Sequence, residues 1–304
     1  MAFKQYIKNI VNKLPYIKTL HKQVEHYNNN AFVPAGHYYS PIVLVKEAEE
    51  KQDEIWKNQY KDGIAGIDLN TPEQLELLKK ISALYPEMPF EPYQKEGIRY
   101  YFENNFYHYT DGIILYGMMR HIKPKKIIEV GSGFSSASIL DVNQLFFDNS
   151  IHLTFIDPDT ERLDSLLTQK DKQNCIIKKD IVQNIPLSVF EELEAGDILF
   201  IDSTHVSKTG SDVNYLLFEV LPALKSGVFI HIHDIFYPFE YHKKWVFEGR
   251  NWNENYILKA FLMYNEKYKI ILFPDYLHRL YADSFKEMPL CYKHFGGSFW
   301  IEKQ

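Results

Sequence analysis

Acidic residues end five successive apolar runs of this 304-residue chain, at Glu129, Asp157, Asp180, Asp202 and Asp234. Each run has the length and composition of a buried strand, and helical patterns separate the runs. The carboxyl ends of parallel strands meet at one edge of an open sheet, where ligands bind. We therefore expect these acids to line one binding edge, which would attract a cationic ligand and repel the phosphates of a nucleotide.

The first acid precedes a glycine-spaced turn in the segment KKIIEVGSGFSS, residues 125–136. Gly131 and Gly133 allow backbone N–H groups to approach a ligand closely. A dinucleotide-binding turn requires a third glycine where this chain has Ser136, so that interpretation fails. An acid before the glycines suits a ligand with an ammonium group, such as the methionine end of S-adenosylmethionine (SAM). A tight strand-to-helix turn in any α/β protein is the alternative interpretation.

The next two acids have the positions needed to bind an adenosine. Asp157 lies one βαβ step after the glycine turn, and its carboxylate can accept both ribose hydroxyls. The alternative is that it caps the helix beginning near Asp159. Asp180 can accept the adenine amino group while Ile181 packs on the ring, although turn aspartates are common in any loop.

From about residue 109 to residue 301 the chain resembles class I SAM-dependent methyltransferases. Its first glycine motif, acid-x-Gly-x-Gly-x-Gly, is matched except that Ser135 replaces the last glycine. The closest resemblance is to a bacterial family of small methyltransferase domains with an Asp-x-x-His turn after strand four and a His-Asp-Ile segment after strand five. The segments that carry it are FIDSTH (200–205), LPALKSGV (221–228), HDIFYP (233–238) and GGSFWI (296–301).

The resemblance implies an α/β fold with a Rossmann-like, doubly wound sheet. Seven strands are expected, mostly parallel with an antiparallel last strand, together with a helical N-terminal cap. It also implies SAM as the cofactor. The residues expected to bind SAM are Glu129, Gly131, Ser132, Gly133, Asp157, Asp180, Ile181 and Asp202.

Three histidines near the binding edge are candidates for acid–base chemistry, because a hydroxyl acceptor must lose its proton during methylation. His231 and His233 share one face of strand five. His233 is nearer the end of the strand and is the better catalytic candidate, whereas His231 is expected to be a hydrogen-bonded core residue. His205 can reach the same space, or it can cap the helix after Ser211.

A divalent cation is the other means of activating a hydroxyl. Metal-dependent O-methyltransferases that resemble this fold place cation ligands where this chain has Asp202 and Asp234. Their pattern continues with Asn or Asp, but Ile235 follows here. Because a hard cation prefers oxygen ligands, His205 and His233 are poor substitutes, and we favour a reaction without metal.

These features predict a SAM-dependent O-methyltransferase acting on a hydroxyl of a small molecule or sugar. The residues expected to face the reacting centre are Asp202, His205, His233 and Asp234. N-methylation of a small amine and SAM binding without catalysis remain open alternatives. The sequence does not identify the acceptor or the oligomeric state, and a homo-oligomer is compatible with it.

Composition is that of an ordinary enzyme. The net charge of −6 gives no indication of nucleic-acid binding. Two cysteines, Cys175 and Cys291, provide neither a disulfide framework nor a metal cluster and favour a cytoplasmic location. No apolar run is long enough to span a bilayer, and no secretion signal is evident.

The N-terminal part differs from the rest. We predict that residues 1–100 form a helical extension and cap that recognises the acceptor, and that residues 101–304 form the SAM-binding domain. Residues 1–25 alternate apolar residues with lysines. This pattern indicates a basic helix that contacts a membrane surface or, as we favour, packs on the main domain or a second subunit. Residues 236–252, rich in aromatic and charged residues, are predicted to form a lid over the acceptor.

Overall fold

The computed structural model describes residues 11, 14–57, 60, 61 and 63–304. Most of the apolar stripe of the predicted basic N-terminal helix lies outside these residues, so neither its packing nor its membrane contact is described. The chain divides into two compact units. The smaller unit contains Met1–Lys57 and His242–Asn251, and the larger contains Asn58–Tyr241 and Trp252–Gln304. The described residues within 58–100 thus belong to the same unit as the sheet. The boundary predicted at residue 100 concerns which parts fold independently, and it stays a prediction.

The larger unit is built around one seven-stranded sheet with the order β3-β2-β1-β4-β5-β7-β6. Strands β1 to β5 are parallel, and β7 is antiparallel to both of its neighbours. The predicted fold class is therefore confirmed. The strands are β1 (Lys126–Val130), β2 (His152–Ile156), β3 (Ile176–Lys178), β4 (Ile198–Ile201), β5 (Phe229–Ile232), β6 (Tyr268–Leu272) and β7 (Phe299–Lys303).

Helices cover the sheet and connect its strands. The helices are α1 (Pro15–Asn30), α2 (Val45–Glu50), α3 (Gln52–Ile55), α4 (Thr71–Ser82), α5 (Tyr109–Ile122), α6 (Phe134–Phe146), α7 (Glu161–Leu166), α8 (Gln169–Asn174), α9 (Leu187–Phe190), α10 (Asp212–Tyr215, Leu216–Val220 and Leu221–Ala223, continuous, with a π-helical middle), α11 (Lys243–Phe247), α12 (Glu254–Leu262) and α13 (Pro274–Leu280). Short 3₁₀ helices are Tyr85–Glu87, Val182–Asn184, Ala282–Phe285 and Pro289–Lys293.

The central strands form because their sequences suit burial on both faces. All residues of β4 are buried, and so are all residues of β1 after Lys126. Continuous apolar runs of this kind are typical of a parallel sheet covered by helices on both sides. Strand β6 lies at the edge and alternates buried with half-buried residues. Sequence analysis did not locate β6, since this short segment follows α12 without a glycine or proline to separate them.

The strand order places the five acids in one row. Along the carboxyl edge, β3, β2, β1, β4 and β5 are consecutive neighbours. The acids at or near their ends therefore follow one another as Asp180, Asp157, Glu129, Asp202 and Asp234. Strand β1 lies between β2 and β4, so the chain reverses its direction of winding at the glycine turn, which is where open α/β sheets bind ligands.

The smaller unit contains α1, α2, α3 and α11. Helix α1 begins at Pro15, a favourable first position because proline has no N–H to leave unpaired. Helix α11 packs on α2, and the rings of Trp56 and Phe247 meet edge to face at 5.9 Å. The predicted lid is thus divided between the two units, and the lid and the acceptor-recognising cap both stay predictions. In the described part of the chain, no helix has the length and apolarity needed to cross a bilayer.

An ion-pair network attaches the segment before α5 to the helices of the larger unit. The guanidinium of Arg99 contacts Asp141 of α6 at 2.6 Å and Asp171 of α8 at 2.7 Å. Only 11% of the Arg99 side chain and 1% of the Asp141 side chain are exposed. Asp141 also accepts hydrogen bonds from the backbone N–H groups of Arg99 and Tyr100. The network fixes the start of an aromatic segment that packs on Phe134, the first residue of α6.

Replacing Arg99 with alanine should lower the free energy of unfolding by about 3–5 kcal/mol, because it leaves a buried carboxylate without its partner. Urea denaturation followed by circular dichroism measures the change. The control is Lys95→Ala, which breaks an exposed ion pair with Glu91 and should cost less than about 1 kcal/mol. Equal losses in the two variants would contradict the importance of the buried network.

Candidate active site

The glycine turn is wedged between the ends of β2 and β4. Gly131 has a φ of +83°, and its N–H donates to the carbonyl of Ile156 at 3.0 Å. A Cβ atom at Gly131 would lie 1.8 Å from the carbonyl oxygen of Asp202. The left-handed backbone and the absence of space therefore both require glycine at this position.

Glu129 lies beneath this turn rather than at its surface. Its side chain is fully buried, and its two carboxylate oxygens each accept a hydrogen bond at 2.5 Å, one from the Ser135 hydroxyl and the other from that of Ser136. The Ser136 hydroxyl also accepts from the N–H of Gly133 at 2.9 Å. The two serines that depart from the glycine motifs thus connect the acid to the turn. Direct contact of Glu129 with the cofactor stays a prediction.

Burial controls the charge of Glu129. Removal from water raises its pKa to about 8, and the hydrogen bonds from Ser135 and Ser136 offset only part of this effect. The negative charges of Asp202 and Asp157 add to the increase. A cation arriving at the turn would favour the ionised form of this acid.

Asp157 shapes the other side of the turn. Its carboxylate accepts hydrogen bonds from the N–H of Ser132 at 2.7 Å and of Asp159 at 2.8 Å. Helix α7 begins later, at Glu161, with Thr160 as its N-cap. The alternative that Asp157 caps this helix is therefore wrong, because the carboxylate closes the turn before it.

A cleft of about 500 Å³ opens beside this turn. The residues that line it are Ser132, Asp157, Asp159, Glu161, Arg162 and Ser165. Arg162 was not predicted from the sequence, since an arginine in the first turn of a short helix carries no motif. Its guanidinium carbon lies 3.8 Å from the centre of the Phe106 ring.

Asp180 and Ile181 lie at the exposed end of β3. One carboxylate oxygen of Asp180 accepts hydrogen bonds from the N–H of Ile181 and from the side chain of Asn184, both at 2.8 Å. The Ile181 residue is 44% exposed, so an apolar face is available for a planar ring. The structure places both residues at the β3 end of the row, and their contact with adenine stays a prediction.

The ends of β4 and β5 bring together the four residues predicted to be catalytic. Nε2 of His205 lies 3.5 Å from a carboxylate oxygen of Asp202 and 3.6 Å from one of Asp234. Nε2 of His233 lies 3.6 Å from the other oxygen of Asp234. Sequence analysis missed one further member, Glu254, whose carboxylate is 2.8 Å from Nδ1 of His205. Nothing in the sequence links these two residues, which are 49 positions apart.

Residues at the start of α12 form hydrogen bonds with the loop that follows β4 and with the loop that follows β5. The carbonyl of His205 accepts hydrogen bonds from the N–H groups of Asn253 and Glu254. The Asn255 side chain donates to the carbonyl of Asp234 at 3.0 Å. His205 and Asp234 have φ values of +61° and +58°, a conformation that costs energy and persists only where the surroundings impose it. The alternative that His205 caps the helix after Ser211 is wrong, because the Ser211 side chain itself accepts from the N–H of Asn214.

The carboxylates determine the protonation of the two histidines. Burial lowers the pKa of His205, but the hydrogen bonds to Asp202 and Glu254 outweigh it and hold the pKa well above its usual value. Burial also lowers the pKa of His233, and here the charges of Asp234, Asp202 and Asp111 outweigh it. The histidine charges in turn lower the pKa of Asp202 although burial opposes this. At neutral pH the His205 ring is therefore an imidazolium paired with Asp202 and Glu254.

His231 is buried behind this cluster. Its ring stacks on the ring of Phe200, with 3.9 Å between ring centres, and meets the ring of Trp300 edge to face, with 4.9 Å between centres. Neither ring nitrogen has a hydrogen-bond partner among the described residues, so the predicted hydrogen bonding is wrong. Burial holds its pKa well below the usual value, and the ring is neutral. His233 lies between this ring and Tyr107.

The sequence is similar to a known family of domains and to an archaeal protein. A family model described as a methyltransferase domain matches residues 128–235. An uncharacterised protein of Archaeoglobus fulgidus is 34% identical over 171 residues, which cover 53% of this chain and 73% of that protein.

Two solved structures are also similar to the chain. The O-methyltransferase TomG from Streptomyces achromogenes, solved with SAM, has a TM-score of 0.43 and 11% identity over 86% of this chain and 99% of its own. The methyltransferase PaMTH1 of Podospora anserina, solved with S-adenosylhomocysteine, has a TM-score of 0.40 and 12% identity over 90% of this chain and 99% of its own.

The sheet order, the glycine turn between the ends of β2 and β4 and the row of acids agree with the fold expected from the resemblance to class I SAM-dependent methyltransferases. The chain contains a methyltransferase domain and belongs to one family with the archaeal protein. SAM is the cofactor that the resemblance of the sequence to class I SAM-dependent methyltransferases implies. The described residues fit this cationic nucleoside, because three of the six residues that line the cleft beside the turn are acids and side-chain bulk is absent at Gly131. No group of three or more His, Cys, Asp or Glu side chains in the described ranges has the arrangement of a metal site.

Replacing Glu129 with glutamine should flatten the pH dependence of stability. Between about pH 4.5 and pH 8 the folded wild type keeps a proton that the unfolded chain loses, so its stability falls as pH rises. Relative to Glu129→Gln, the wild type should lose about 2–3 kcal/mol between pH 5.5 and pH 7.5. Urea denaturation without cofactor measures this difference. As a control, Glu192→Gln, at an exposed acid, should keep the wild-type dependence of stability on pH. If stability changed with pH in the same way in all three proteins, the pKa of Glu129 would not be raised.

Proposed function

We propose that the protein transfers the methyl group of SAM to a hydroxyl of a small molecule or carbohydrate. The observation that carries the proposal is the pair of His205 and Glu254, 2.8 Å apart at the β4–β5 end of the binding edge. Bound SAM would supply a methyl group on a positively charged sulfur, leaving S-adenosylhomocysteine. A hydroxyl acceptor needs a base for its proton, and this pair can supply one.

The row of acids gives each part of the cofactor a partner. The turn of Gly131, Ser132 and Gly133 would hold the methionine part, with Glu129 supporting it from below. Asp157 would accept the ribose hydroxyls, and Asp180 with Ile181 would contact the adenine. Asp202 would lie beside the sulfonium, where a carboxylate stabilises positive charge. The methyl group would then face the His205 cluster.

His205 is the base in this proposal, and Glu254 positions it. Because Glu254 accepts the proton of Nδ1, the imidazole is held with Nε2 directed towards Asp202 and Asp234. Nε2 must be deprotonated before it can accept a proton from the acceptor hydroxyl. The raised pKa of His205 therefore predicts activity that rises with pH above neutrality. His233 would add positive charge between Asp234 and Tyr107 rather than accept the proton.

N-methylation is the second candidate. The surplus of carboxylates around His205, formed by Asp202, Asp234 and Glu254, would suit an amine acceptor as well. A neutral amine already has a free electron pair and needs little help from a base. SAM binding without catalysis is the third interpretation, and it shares every cofactor contact with the other two.

Incubation with methyl-tritiated SAM and matched panels of hydroxyl and amine acceptors tests the proposed activity. We expect label in the ether product of a hydroxyl compound, identified by mass spectrometry, and unchanged turnover after exhaustive chelation. His205→Asn should lower the rate by about 10²–10⁴-fold. An amine product with little effect of His205→Asn would support N-methylation. Binding of SAM without transfer to either panel would support the non-catalytic interpretation.

Replacing Glu254 with glutamine should lower the pKa of His205, because it removes a carboxylate that raises it. An imidazole NMR titration measures this shift without any acceptor. In kinetic assays the rise of kcat/KM should move to lower pH while the plateau rate falls, since the ring loses its orienting partner. Glu219→Gln, on the exposed face of α10, is the control and should change neither quantity. A lower plateau with an unmoved pH profile would mean that Glu254 acts only in folding.

A further inference from the structure

The cleft beside the glycine turn has an unusual charge balance for its ligand. Three of its six lining residues, Asp157, Asp159 and Glu161, are acids. The methionine end of SAM carries a carboxylate as well as an ammonium group. Carboxylates attract the ammonium group but repel the carboxylate, which therefore needs a cation of its own. Arg162 is the only lysine or arginine among the residues found to line this cleft.

Arg162 lies directly on the glycine turn. A Cβ atom at Gly133 would be 3.1 Å from Cδ and 3.3 Å from Nη1 of Arg162, closer than side chains ordinarily pack. The φ of Gly133 is −178°, an extended conformation that any residue can adopt. Glycine at this position therefore provides room for the arginine rather than backbone freedom.

Phe106 holds the guanidinium in place. Its ring lies 3.8 Å from the guanidinium carbon and stacks on Phe134 at the start of α6. A cation above an exposed ring is worth only about 0.5–1 kcal/mol, so this contact orients the group without saturating its donors. No hydrogen bond or ion pair joins the guanidinium to any other residue in the described ranges. Its planar N–H donors thus remain available for a carboxylate.

We propose that Arg162 binds the methionine carboxylate of SAM across the glycine turn, while the neighbouring acids attract the ammonium and sulfonium charges. This assignment rests on the cofactor part of the proposed function. A guanidinium can donate two parallel hydrogen bonds to a carboxylate, which gives both affinity and orientation. Held in this way, the methionine chain would run from Arg162 towards Asp202 and carry the methyl group to the β4–β5 end of the edge.

Two ligands that differ only in the amino-acid end test the assignment. S-adenosylhomocysteine carries the carboxylate, whereas 5′-methylthioadenosine has the same nucleoside and thioether without it. In isothermal titration calorimetry, Arg162→Ala should lower the affinity for S-adenosylhomocysteine by about 10- to 100-fold, because the variant loses charge-assisted hydrogen bonds to the carboxylate. Binding of 5′-methylthioadenosine should change less than about twofold, and it reports at the same time that the variant is folded.

Two further variants sharpen the test. Arg162→Lys should give intermediate affinity for S-adenosylhomocysteine, because an ammonium cannot bind a carboxylate bidentately. Lys170→Ala, at an exposed lysine outside the cleft, should not weaken it. If Arg162→Ala weakened the binding of both ligands equally, the arginine would support the turn rather than bind the carboxylate. If it weakened the binding of neither, the arginine would only pack on Phe106. Either result overturns the assignment. Failure of the wild type to bind either ligand would overturn the proposed cofactor site as a whole.

Discussion

The close approach of Gly131 to the carbonyl of Asp202 determines the geometry of the whole binding edge. Strand β1 can lie between β2 and β4 with its turn against both only because no side chain separates the two backbones. This contact places the turn at the point where the winding reverses. The strand order around this contact places the acids of five strands in one row, with Glu129 buried beneath the turn and the others along the edge.

Charge balance is the second constraint on the site. Carboxylates buried together repel one another, and each must be neutralised by a proton or a partner. Glu129 keeps a proton up to about pH 8 and is bonded by two serines. Asp202 and Asp234 face the imidazole of His205, and Glu254 binds its other side. Glu129, Asp202, Asp234 and Glu254 therefore each have a proton or a partner within the protein.

Individual residues show why sequence reasoning succeeded in part. Apolar runs that end in acids located five parallel strands, because strand burial and sheet topology follow from local pattern and connection length. In the sequence, Ser135 and Ser136 are only departures from glycine motifs. Their hydrogen bonds to Glu129 depend on the packing of the start of α6 against β1, which no local pattern predicts. His231 was expected to be hydrogen-bonded, yet Phe200 and Trp300 surround it with aromatic rings. Glu254 has no local pattern that links it to His205.

By itself, the sequence determined the class of fold and the presence of an acid after each of five parallel strands, because these depend on periodicity and connection length, and it implied the cofactor by resemblance. The order of the acids along the edge was fixed only by the strand order of the folded sheet. Tertiary structure alone decided which side chains touch. The start of α12 reaches the β4 and β5 loops from a distant part of the chain, and Arg162 reaches the turn across the space left by Gly133. Such contacts arise from the packing of elements far apart in sequence, and packing is set by three-dimensional complementarity rather than by any pattern along the chain.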